Sequence, residues 1–188
     1  MHKRILTCPD DYQRLALRTL IKEQDTDTTM KMCALGLSGE VGEIIAIRLM
    51  GPDTVEQQKA KLYDEMGDLL WYAVIMGDCI GTSFHQLLDV SYDEIDRNFM
   101  TPEFLAVPIG RINDVIKKYS YHHNNEQRSF PVGIVEQNLA ELIERISWIA
   151  HHSLRLTIMD IAEGNIEKLT QRHGESFKAS YSSDSVKE

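Results

Sequence analysis

Punctuation is what most restricts the fold of this chain. Prolines and glycines cut it into pieces of helix length, and no piece alternates apolar and polar residues long enough to compete as a strand. Pro9, Asp10 and Asp11 make an acidic start for a helix over roughly 12–22. The polar stretch Gln24 to Thr29 separates it from a second helix over about 30–50. Gly51-Pro52-Asp53-Thr54 combines a stop, a turn and a cap, and a third helix runs to about residue 80. Gly81-Thr82-Ser83 stops the chain and recaps it for a helix to about 99. Thr101-Pro102 opens a segment that is helical by pattern to about 119, and His122 to Ser129 is a loop. Pro131 begins a long helix ending near 154; Thr157 caps the last one, which His173-Gly174 closes near 172. The serine-rich tail, 178–188, is predicted to fray. The pattern predicts an all-α fold with residues 1–177 as one domain.

Composition narrows the function. At 188 residues and 43% hydrophobic, the chain can bury a core. Twenty basic against twenty-nine acidic residues leave a net charge of −9, which argues against nucleic acid polymers and anionic membranes as partners. A small phosphorylated ligand held through metal ions remains compatible. Cys8, Cys33 and Cys79 form no CxxC pair and no disulfide framework. The N-terminal MHKRILTCPDDYQ lacks the apolar run of a signal peptide, and Leu69 to Met76 is too short to span a bilayer. A soluble, cytoplasmic protein is expected.

Two short motifs carry the chemistry. Glu40-x-x-Glu43 falls in the second predicted helix and Glu65-x-x-Asp68 in the third. A spacing of three puts both acids of a pair on one helical face, a turn apart. Gly36, Glu40, Glu43 and Ile47 make one line and Leu62, Glu65, Asp68 or Leu69, and Tyr72 another, so the acids border the apolar stripes. A single ExxE is usually a solvated helix face; two such pairs beside apolar stripes and near glycines are not. Four carboxylates converging between helices repel and resist ionising together. A hard divalent cation removes the conflict, and Mg²⁺ prefers oxygen ligands. Gly36, Gly39, Gly42 and Gly67 are expected to let the two helix backbones approach closely. A di-iron bundle would need Glu-x-x-His pairs, and none of the seven histidines follows a glutamate at that spacing.

The runs ALGLSGEVGEI, KLYDEMGDLLWYA and NIEKLTQRHGESF resemble the all-α nucleoside triphosphate pyrophosphohydrolases of the MazG type. YQRLALRTL looks like the helix that precedes the motif in that family. The resemblance covers 12–81 and 157–177, and 21 residues separate Glu43 from Glu65, within the family's spacing. It implies that Glu40, Glu43, Glu65 and Asp68 coordinate Mg²⁺, with Mn²⁺ as a substitute. It also implies hydrolysis of a nucleoside triphosphate to monophosphate and pyrophosphate, with Glu40 or Glu43 the favoured residues for orienting or deprotonating the water. Asn165, Lys168 and Arg172 would meet the phosphate chain; Lys59 and Lys61 are weaker candidates for which surface charge is the favoured reading. Such proteins are commonly oligomers, so a homodimer is expected. Trp71 and Tyr72 read as core, and Met30, Met32, Met50 and Met66 as packing residues. The alternative is a catalytically inactive helical interaction protein that kept the fold.

More than seventy residues stand where the family passes almost directly to its NxxKL segment. Gly39 to Ile45 align with Gly110 to Ile116 at an offset of 71, Leu70-Trp71-Tyr72-Ala73 with Ser147-Trp148-Ile149-Ala150 at 77, and the helix from Ser83 with that from Thr157 at 74. Two degenerate three-helix repeats, 30–99 and 102–173, packed as a pseudo-dimer would explain this; a plain insertion is the competing account. In the second copy Glu40 becomes Arg111, Glu65 becomes Leu142 and Asp68 becomes Arg145, while Asp114 stands opposite Glu43. Glu141 and Glu144 fall one residue out of register, about 100° away on the helix. Arg111 and Arg145 are expected to pair with acids such as Asp114. Ser91 and Glu94 replace Asn165 and Lys168 in the first copy. Metals from the first copy and phosphate contacts from the second would then make one site.

Overall fold

The computed structural model describes residues 6–20, 24–49, 53–90, 101–121 and 129–184, with side chains as far as 172. It is all-helical. The order is α1 (Pro9–Leu17), α2 (Thr26–Leu49), α3 (Val55–Cys79), α4 (Phe84–Asp89), a 3₁₀ turn (Pro102–Leu105), α5 (Ala106–Tyr121), α6 (Val132–Ile149), a π-helical turn (Ala150–Leu154) and α7 (Ile158–Asp184). No strand occurs among the described residues, and no described helix is long and apolar enough to cross a membrane.

Local chemistry accounts for the boundaries. At α3, Thr54 Oγ1 accepts from the Gln57 amide at 3.2 Å while Gln57 Oε1 accepts from the Thr54 amide at 2.8 Å, a reciprocal cap. Ser83 and Gln86 repeat it at α4 with 3.2 and 2.8 Å. Gly81 takes the left-handed conformation (φ 78°) that ends α3. Several predicted boundaries differ. The first helix runs Pro9–Leu17 and not 12–22, because proline fits the first helical position. The second helix begins at Thr26, inside the polar stretch, because Asp25 accepts from the Thr28 amide and hydroxyl at 2.9 and 2.8 Å. The last helix runs past His173-Gly174 to Asp184, so the predicted fraying tail is helical as far as that residue. A glycine inside a helix costs about 1 kcal/mol, and without a left-handed turn it is no stop. α4 is described to Asp89; the rest of its predicted length, with Ser91 and Glu94, lies outside the described residues.

α2 packs along α3, and α5 along α6. α2 and α5 run antiparallel, as three cross-contacts show: Lys31 Nζ 5.4 Å from the Tyr121 ring, Asn113 Nδ2 donating to Ser38 Oγ at 2.7 Å, and Arg48 Nη1 on Glu103 at 3.0 Å. α7 lies on α3, and α4 lies on α6. One core threads all of these, with Leu37, Ile44, Met66, Leu70, Ile112, Leu142, Ile146 and Ile161 buried in it. Trp71 and Tyr72 pack partly buried against that core, as the sequence predicts.

The glycines divide differently from expectation. A Cβ on Gly36 would run into the Tyr72 ring, so this residue does let α3 come close to α2. Gly67 instead faces α7, where a Cβ would stand 3.1 Å from Asn165 Cβ. Gly39 and Gly42 have nothing within 4 Å and are exposed. They point away from the α2–α3 seam, a face that glycine positions alone do not identify.

Candidate metal centre

The two acidic pairs meet across the α2–α3 seam. Carboxylate oxygens of Glu40, Glu43 and Glu65 all lie within 4.8 Å of one another, as do those of Asp64, Glu65 and Asp68. Glu65 belongs to both groups. Oxygens around a magnesium ion at about 2.1 Å are about 3 Å apart when adjacent and about 4.2 Å when opposite. Three carboxylates from two helices are a hard, all-oxygen donor set of the kind this ion takes, so the residues fit it.

Electrostatics mark the cluster as strained without a cation. Burial, then the charges of Asp68, Glu43 and Glu65 and a hydrogen bond with Glu65, push the Glu40 carboxyl up to about 7. Glu65 is raised as well, by burial first and then by Glu43, Asp64 and Asp68, with Lys168 opposing. Both shifts have the sign expected where carboxylates share a half-buried site.

α7 supplies the other wall. Gly67 leaves room for Asn165, which is buried and donates from Nδ2 to Asp68 Oδ1 at 3.1 Å. Lys168 Nζ sits 2.6 Å from Asp68 Oδ2 and 2.8 Å from Asp64 Oδ1. Burial pulls its ammonium down, but hydrogen bonds from these two acids outweigh that and hold it above its ordinary value. From α1, the fully buried Tyr12 donates its hydroxyl to Asn165 Oδ1 at 3.0 Å. Burial, then the Asp68 charge, raises that phenol well above its ordinary range.

The sequence-derived residues therefore fall into three sets. Glu40, Glu43, Glu65 and Asp68 come together, and Asn165 and Lys168 join them from the far end of the chain. In this structure those two hold Asp68, so both of its oxygens are engaged. Arg172 is exposed one turn further along α7. Lys61 is exposed and bonded to Asp53 at 2.6 Å, which accounts for it without the acids. Asp64 and Tyr12 escaped the sequence reading. The four-residue spacing of Asp64 and Asp68 was the available signal for the first; nothing local pointed to the second, whose partner is 153 residues away.

In the second half the arginines pair with an acid as expected, but it is Glu141 and not the Asp114 given as the example. Arg111 Nη1 and Arg145 Nη2 close on Glu141 at 3.0 and 2.7 Å, and Arg145 Nε adds a bond at 3.0 Å. Asp114 is taken by Lys117 and Lys118 at 2.7 and 2.6 Å. Glu141 and Arg145 are four apart on α6, a spacing that brings side chains together whatever the register of the repeat.

Comparison with protein-family models, with curated proteins and with solved structures gives no match.

Proposed function

We propose that the chain is a Mg²⁺-dependent nucleoside triphosphate pyrophosphohydrolase of the MazG type, releasing monophosphate and pyrophosphate. The observation that carries this reading is the convergence of Glu40, Glu43 and Glu65 within 4.8 Å, beside a lysine and an asparagine delivered by α7. Magnesium or manganese held by these acids would neutralise the phosphate chain and acidify an attacking water. Without a cation the Glu40 carboxyl is pushed up to about 7, and an ion held there would lower it and favour the carboxylate. Lys168 would exchange Asp68 for a phosphate oxygen, and Asn165, steadied by Tyr12, would offer an amide donor beside it. Arg172, one turn beyond Lys168 on α7, would join them. A cytoplasmic, homodimeric enzyme is the corresponding cellular reading.

The architecture of the proposal is a fused pseudo-dimer. Its support is reciprocal packing: the last helix of each half lies on the middle helix of the other, α7 on α3 and α4 on α6, while α2 and α5 pair antiparallel. A plain insertion has no reason to produce that exchange.

One observation favours the second reading, an inactive helical interaction protein. Lys168 and Asn165 between them engage both Asp68 oxygens, which partly closes the acidic cluster from within. The two readings separate in one assay: standard and modified nucleoside triphosphates with Mg²⁺, scored for pyrophosphate and monophosphate. Pyrophosphate release abolished by Glu43→Gln supports the enzyme; orthophosphate as first product, or no turnover of any triphosphate, rejects it.

A further inference from the structure

The α2–α3 seam does not end at the acids. One turn beyond Glu43 and two turns before Glu65, Ile47 and Gln58 line a pocket of about 390 Å³. Both stand in line with the acids on their helices, at spacings of four and seven residues. Its far wall comes from the second half: Pro102, Trp148 and Ser153. That wall has an unusual construction. The chain after α6 widens into the π-helical turn Ala150–Leu154 and leaves it through Arg155 in the left-handed conformation (φ 61°). Single π turns inside helices recur at functional sites. Here the widening drops His152 flat onto Trp148, ring centroids 3.8 Å apart and planes 16° off parallel. His152 Nδ1 is also hydrogen-bonded to the Trp148 carbonyl at 2.9 Å; a carbonyl only accepts, so this nitrogen carries the proton. The indole is thus held on one face by His152 while the residue lines the pocket.

We propose that this pocket receives the nucleoside end of the substrate, with Trp148 as the surface on which the base stacks. The proposal rests on the pyrophosphohydrolase reading for the other end of the ligand. From Glu65 to Gln58 the seam advances about 10 Å, a run suited to a phosphate chain at the acids and a base in the pocket. The volume lies in the range of pockets for ligands of this size, about 300–1,000 Å³, and the apolar walls with a few polar rim groups are typical of them. Arg48 and Lys59 are among its lining residues, with Arg48 held by Glu103 at 3.0 Å. Trp148 would be the residue that makes the site read a base and not only a triphosphate.

Two probes test this with the full chain: a nucleoside triphosphate with Mg²⁺, and inorganic tripolyphosphate with Mg²⁺. Trp148→Ala should weaken the nucleotide about ten-fold or more and leave tripolyphosphate unchanged. Ile47→Phe, which fills the pocket from the opposite wall, should do the same if Trp148→Ala does not fold. A third arm is metal-free: free nucleosides should quench tryptophan fluorescence in wild type and in Glu40→Gln, and not in Trp148→Phe. That arm stands even if hydrolysis is never found, and so separates failure of the pocket from failure of the metal centre. Equal loss of both probes in Trp148→Ala, or nucleoside quenching that survives Trp148→Phe, overturns the proposal.

Discussion

Replacing an acid of the cluster should make the metal-free protein more stable. Glu40 has a carboxyl at about 7 against an ordinary 4.5, so folding favours its protonated form. A raised carboxyl contributes stability that is fully present below about 4.5 and lost as pH rises through about 7; raised Glu65 adds to the loss in the same direction. Glu40→Gln resembles the protonated acid at every pH and removes the decline. The full shift would be worth about 3 kcal/mol, but Glu40 is only half-buried, and solvent screening reduces this to about 1 kcal/mol at pH 8. For a domain of this size that is about 2–4 °C in melting temperature. Magnesium should reverse the order. An ion at a hundred times its dissociation constant stabilises the wild type by about 2.7 kcal/mol, or about 5–10 °C, and the amide variant forfeits most of it. Thermal unfolding of both proteins at pH 5 and pH 8, with and without Mg²⁺, gives all eight values. Glu40→Gln melting below wild type at pH 8 without metal, or gaining as much from Mg²⁺, would show that the acids do not repel one another or do not share an ion.

Three further substitutions probe the frame around the site. Gly36→Ala drives a methyl into the Tyr72 ring and should cost about 1–3 kcal/mol in urea unfolding, whereas Gly39→Ala, facing open space, should be neutral or slightly stabilising. Arg145→Met strips the buried Glu141 clamp of its inner member and should cost about 3–5 kcal/mol; the double variant with Glu141→Gln should recover part of that. Tyr12→Phe leaves the Asn165 amide oxygen without its buried donor, for a loss of about 1–3 kcal/mol and a weaker hold of α7 on α3.

The parts of this molecule that were legible in its sequence are those set by local chemistry. Thr54 and Gln57, or Ser83 and Gln86, cap a helix through residues three apart, and Gly81 ends one through its own φ. The acid pairs are of the same kind, because a spacing of three fixes a face before any tertiary contact forms. What stayed hidden depends on distant partners. Tyr12 earns its place only through Asn165, and Gly67 matters for α7 and not for α2. The arginines show the limit most clearly. Alignment of the repeats suggested Asp114 as their partner, yet Asp114 has Lys117 and Lys118 one turn away, and Glu141 is one turn from Arg145. Contacts within a helix decided the partners of Asp114 and Arg145, and Arg111 then reaches Glu141 from α5 across to α6.

The charge balance of the two halves leads to a last prediction. Around Glu141 two guanidiniums meet one carboxylate. The first half gathers Glu40, Glu43, Asp64, Glu65 and Asp68 and offers them Lys168 as a counter-charge. Lys168 bonds Asp64 and Asp68 and only partly offsets Glu65, which leaves Glu40, Glu43 and Glu65 with excess negative charge. A divalent cation at these three competes with the proton on Glu40, so the wild type should take up one tight ion per chain and bind it more strongly as pH rises through about 7. The second acidic group, Asp64 with Glu65 and Asp68, is occupied by the ammonium. Lys168→Ala should open it and raise the stoichiometry toward two ions, at the expense of triphosphate affinity. Equilibrium dialysis with Mn²⁺ counts the ions directly. One ion in the variant would mean that Lys168 is not what keeps the second group closed, and no ion in the wild type would mean that the α2–α3 acids are merely a solvated rim.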